Sequence, residues 1–68
     1  MGSWQKVFAT ELAHRAEIVR DVLGVQGIAG IVVNKRDTTY NNFGMYEVHV
    51  QVDDVMKSLR IIEDVKFE

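Results

Sequence analysis

The sequence predicts an α+β domain in which two amphipathic helices pack on one face of an antiparallel sheet. Three observations point there. Apolar residues recur at helical spacing in two separated stretches, Leu12–Leu23 and Val55–Ile62. The segment Tyr46–Val52 alternates apolar and polar residues strictly, as a half-buried strand does. Between these lie short β-branched or aromatic runs, too brief for helices.

The elements follow in order. Trp4–Ala9 contains the β-formers Val7 and Phe8 and reads as a first strand. Thr10 then offers a hydroxyl oxygen to cap a helix, with Glu11 suited to the positive end of its dipole. Leu12, Ala16, Val19 and Leu23 form the apolar stripe, widened by Ile18 and Val22, while Glu11 and Arg15 are spaced to pair along the helix. Gly27 is the expected stop because glycine accepts the left-handed conformation that ends many helices; Ile28 is then placed to fold back on Leu23. Gly24 offers an alternative stop.

Ile28–Asn34 is a β-branched run and the second strand. In the third, Tyr46, Val48, Val50 and Val52 share one face, with Glu47, His49 and Gln51 on the other. Asp53 is placed to cap the second helix, whose stripe is Val55, Leu59 and Ile62 with Met56 at its flank. Val65–Glu68 alternates and suits a short edge strand. The order βαββα(β) matches the split βαβ, or ferredoxin-like, arrangement over residues 1–68 as a single domain, with Met1–Ser3 given no structural weight. Such a sheet leaves one face without helices. Trp4, Phe8 and Val32 are the residues expected to add apolar area there and to form an interface.

Composition narrows the function classes. Sixty-eight residues bury a small core, and with no cysteine neither disulfides nor thiolate metal sites can staple it. Oligomerisation is the remaining common remedy, so a homodimer or other homo-oligomer is expected. The net charge of −2, with acids and bases intermixed, disfavours a nucleic-acid partner. No apolar run reaches the ~20 residues that span a bilayer, and no apolar leader follows Lys6, which makes the cytoplasm the expected location and excludes a membrane partner.

Chemistry-bearing residues concentrate in one segment, Asn34–Gly44, between the second and third strands. Lys35 and Arg36 suit an anion, Asn34 and Asp37 a polar group, Tyr40 and Phe43 a flat ligand; these six are the candidate binding residues. The competing reading is loop structure alone, since Asn and Asp stabilise turns with their own side chains. His14 and His49 lack metal-ligand spacing, adjacent carboxylates such as Asp53–Asp54 point apart on a helix, and no serine stands in a nucleophile elbow. No catalytic residue, metal or cofactor is therefore assigned, and a non-enzymatic role is expected.

Trp4-x-Lys6-Val7-Phe8, the run Ala16-Glu17-Ile18 on a helix closing at Gly27-Ile28, Asn34-Lys35 leading to Asp37-Thr38-Thr39-Tyr40, and Phe43-Gly44 before Glu47-Val48-x-Val50 resemble the small bacterial signal-transducing protein family, a domain of unknown function. The resemblance covers about Trp4 to Glu63. It implies a ferredoxin-like fold grouped with the PII-like regulators, in which the connection between the second and third strands is the regulatory loop. The expected function is thus a small signalling or regulatory binding module, contacting a protein or small effector through that segment or the open sheet face. The alternative is a nucleic-acid-binding domain of the same fold, using Lys6, Phe8, Lys35 and Arg36.

Overall fold

A computed structural model describes residues 3–35 and 45–67. The elements run β1 (Trp4–Thr10), α1 (Ala13–Val25), β2 (Gly30–Lys35), β3 (Met45–Gln51), a 3-10 turn (Val52–Asp54) and α2 (Val55–Glu63). The three strands form one sheet in the order β1-β3-β2, with β3 antiparallel to both neighbours. Strands β1 and β2 therefore run parallel to each other with β3 inserted between them, and α1 makes the crossover. The architecture is α+β, two helices on a three-stranded antiparallel sheet. Among the described residues no helix is long and apolar enough to cross a membrane.

The core lies between the helices and one sheet face. Ala16, Val19 and Leu23 of α1, Ile28, and Val48 and Val50 of β3 are buried together. Val7, Phe8, Val32, Tyr46, Val55, Ile61, Ile62 and Phe67 close around them. The alternation of β3 is realised for Tyr46, Val48 and Val50, which turn to the core, and for Glu47, His49 and Gln51, which face away; Val52, expected on the core face, lies beyond the strand in the 3-10 turn and is exposed.

Helix α1 ends as its sequence dictates. Gly27 takes φ of 85°, its N–H donates to the Gly24 carbonyl at 3.0 Å, and the Ile28 N–H donates to the Leu23 carbonyl at 2.9 Å. This is a Schellman motif with its hydrophobic contact, because Ile28 and Leu23 share the core cluster. Ile28 consequently belongs to the helix cap, and β2 begins two residues after it, at Gly30, rather than at Ile28.

The start of α1 departs from expectation. Its N-cap is Leu12, without a side-chain cap, and the Thr10 hydroxyl accepts from the Leu12 N–H at 3.1 Å. Thr10 thus closes a local turn two residues upstream, and Glu11 stands outside the helix, which removes the helical spacing to Arg15. The Arg15 guanidinium lies instead over the Phe67 ring, 5.1 Å from its centroid.

Asp53 does not cap α2 either. Residues 52–54 wind as a 3-10 turn, stitched back by a hydrogen bond from the Val52 N–H to the Ser3 carbonyl at 2.9 Å, and Asp54 precedes the helix with no side-chain cap. That entry rotates α2 relative to the expected stripe. Leu59 is left 41% exposed, while Ser58 is fully buried and Ile61 turns inward beside Val55 and Ile62.

Val65, Lys66 and Phe67 form no strand. The Phe67 ring stacks on Phe8 with centroids 5.7 Å apart, so the segment acts as an aromatic lid over the end of the core.

The strand register also relocates two residues. Between Lys6 and Phe8 the β1–β3 register shifts by one, a β-bulge at Val7. The bulge lets the consecutive residues Val7 and Phe8 both turn toward the helices, so Phe8 is not on the open face. Val32 pairs with Val48 and joins it on the core side, again opposite to expectation. Apolar residues at both parities had left these placements ambiguous.

Candidate functional site

The helix-free face of the sheet can be built from strand pairing alone. Residues opposite each other in antiparallel strands share a face. Glu47 and His49 of β3 occupy its centre. His49 is flanked by Lys6 of β1 and Ile31 of β2, forming one row. Glu47 is flanked by Ala9 and Val33, forming the next. Trp4 beside Gln51 and Lys35 beside Met45 mark the two ends.

The central pair is organised, not merely solvated. The Glu47 Oε1 and the His49 Nε2 are 2.9 Å apart, with the imidazole N–H the donor to the ionised carboxylate. Their side chains keep only 14% and 18% of their exposure, sheltered by the flanking strands. The Lys6 Nζ reaches the other Glu47 oxygen at 3.9 Å from a side chain that is still 55% exposed. The imidazole hydrogen bond, and then the charges of Lys35 and Lys6, hold the Glu47 carboxyl below the usual carboxylate range, against the opposing effect of its burial.

Around this polar centre stand apolar side chains that face water. Trp4 is 43% exposed, Ile31 40% and Met45 39%. Ordinarily the solvated face of an antiparallel sheet is polar, and a strand apolar at every position reads as covered on both sides. The run Ile31-Val32-Val33 is of that second kind, although helices cover only its Val32 side.

Of the candidate binding residues, Asn34 and Lys35 end β2 and are exposed. Arg36, Asp37, Tyr40 and Phe43 lie outside the described residues. Of the candidate interface residues, Trp4 stands on the helix-free face, whereas Phe8 and Val32 are on the other. Ile31 and Val33 occupy positions that the sequence did not single out, and Glu47 and His49 form a pair where two independent solvated groups were expected. Their i,i+2 spacing on the most regular strand was the available signal, since it puts both side chains on one face within reach of each other. Among the described residues, open depressions on the helix layer include one bordered by Arg20, Gly24 and Gly30 and another between Ile18 and Val22 of α1 and Ile61 of α2. Neither includes Glu47 or His49.

Comparison of the chain with protein-family models, with curated proteins and with solved structures finds no match.

Proposed function

We propose that this protein is a small, non-catalytic binding module of a signalling or regulatory kind, built on a ferredoxin-like frame that lacks a fourth strand among the described residues. The observation that carries the proposal is the helix-free face: a hydrogen-bonded Glu47–His49 pair framed by exposed Trp4, Ile31 and Met45. A hydrogen-bonded polar pair ringed by apolar side chains has the polar-and-apolar mixture of a recognition surface, and among the described residues its open geometry offers no cleft to exclude water from a reaction. The resemblance to the small signal-transducing proteins supports the same reading, with Lys35 leading from this face into the 36–44 segment. Contact with a protein or small effector then uses the segment and the adjoining end of the face together.

The test is a Lys35→Ala/Tyr40→Ala double variant with wild-type circular dichroism. The expected result is that this variant no longer binds the effector or protein partner that the wild-type protein binds. Undiminished binding to every one of them overturns the proposal.

The nucleic-acid alternative draws on Lys6, Trp4 and Lys35 sharing one face, but Phe8 is turned to the core and is lost as a base-stacking platform. A labelled single-stranded oligonucleotide titrated at low salt separates the two readings, and absence of binding removes this one.

A further inference from the structure

We infer that the helix-free face pairs with the same face of a second copy of this chain about a twofold axis. The inference rests on reading that face as a contact surface and names its occupant. The run Ile31-Val32-Val33 is the first support, being apolar on the side that the helices do not cover.

The second is that the two central rows are complementary to each other. One row reads Lys6, His49, Ile31 and the next Ala9, Glu47, Val33. Consider a twofold axis lying in the interface, perpendicular to the strands and passing between these rows. It lays each row over the other row of the partner. His49 then meets the partner copy's carboxylate at position 47, Ile31 meets the aliphatic side chain at 33, and the Lys6 stem meets the small alanine at 9. Each contact occurs twice, as an isologous interface requires. An axis along β3 would instead set like charges at position 47 against each other, so charge selects the first arrangement. Two sheets stacked in this way have the aligned packing of a β-sandwich.

Such a face presents about ten residues, fewer than the roughly 20–30 a side of a standard interface, so the dimer is reversible and dependent on concentration.

Sedimentation equilibrium of the full chain over a wide concentration range tests this. Wild-type protein is expected to shift from monomer to dimer mass. Ile31→Asp, at an exposed position, keeps its circular dichroism but weakens association by about tenfold or more. Val25→Asp, on the helix layer and 84% exposed, associates as wild type does. Because the chain has no cysteine, disulfide trapping gives an independent readout. An equimolar mixture of Ile31→Cys and Val33→Cys chains should cross-link under mild oxidation more completely than either variant alone. A wild-type mass that stays monomeric, an Ile31→Asp dimer of undiminished affinity, or equal cross-linking in all three samples overturns the inference. None of these results bears on effector binding by Lys35→Ala/Tyr40→Ala, so the two proposals fail separately.

Discussion

The two faces of the sheet use the same backbone for opposite purposes. On the covered face, Val48 and Val50 are fully buried against an aliphatic centre of Ala16, Val19, Leu23 and Ile28, with Phe8, Tyr46 and Phe67 closing its edge. On the other, one residue along the same strand, Glu47 and His49 form a polar pair that is mostly sheltered without any helix above it. Burial on the first face comes from the helices. On the second it comes from the neighbouring strands, whose Ile31 and Trp4 remain exposed. A sheet that is apolar on its water side carries uncovered hydrophobic area, which a purely solvated back does not.

The covering layer can be perturbed through its two helix glycines, which should respond with opposite signs. Gly27→Ala forces a Cβ into a φ of 85° and is expected to destabilise the fold by about 1–2 kcal/mol in urea unfolding. Gly24→Ala adds a Cβ that meets nothing within 4 Å in a helical position, and is expected to stabilise by about 0.5–1 kcal/mol. Equal effects would mean that α1 does not end in the Schellman motif.

A similar gain is expected on the covered face itself. The Ser58 Oγ is buried with no hydrogen-bond partner among the described residues, so Ser58→Ala should raise stability by about 1 kcal/mol, read from the same urea midpoint. A decrease on that substitution would show that the hydroxyl is satisfied.

The helix-free face should give the smallest stability signal, through pH. Glu47 titrates below its unfolded value in the native state, so its contribution is present above the usual carboxylate range and is lost as pH falls through the lowered native value. Glu47→Gln should remove that part of the acid-limb dependence, lowering stability slightly near neutral pH and leaving it unchanged at the acid end, where Glu47 is already protonated. An acid limb identical in the two proteins would break the link to the His49 and lysine contacts.

Much of the covered face was legible in the sequence. Strict alternation placed β3, and Gly27 with Ile28 announced the helix end, because both signals are local and their geometry admits few alternatives. The helix starts were not legible. Thr10 and Asp53 are good capping residues, yet a turn at Thr10 and a 3-10 segment at Val52–Asp54 use them differently, and the second change rotates α2 enough to bury Ser58 in place of Leu59. The helix-free face was legible only at β3. In β1 the bulge at Val7 reverses the parity between Lys6 and Phe8, and in β2 three successive apolar residues leave the face undetermined until pairing with β3 is known. Hence Phe8 and Val32 were expected where Ile31 and Val33 stand. Asn34 and Lys35 belong to the candidate binding segment and border this face; Arg36, Asp37, Tyr40 and Phe43 fall outside the described residues.

The contrast between the faces is tested most directly by comparing urea midpoints of Ile31→Lys and Val32→Lys, measured at protein concentrations too low for association. These are adjacent residues on one strand, so propensity and edge position are shared and only the face differs. Val32→Lys should lose on the order of 2–4 kcal/mol by driving a charge against Val48, while Ile31→Lys should stay within about 0.5 kcal/mol of wild type. Equal destabilisation at both positions, or a larger effect at Ile31, would contradict the assignment of one face to the core and the other to the helix-free side.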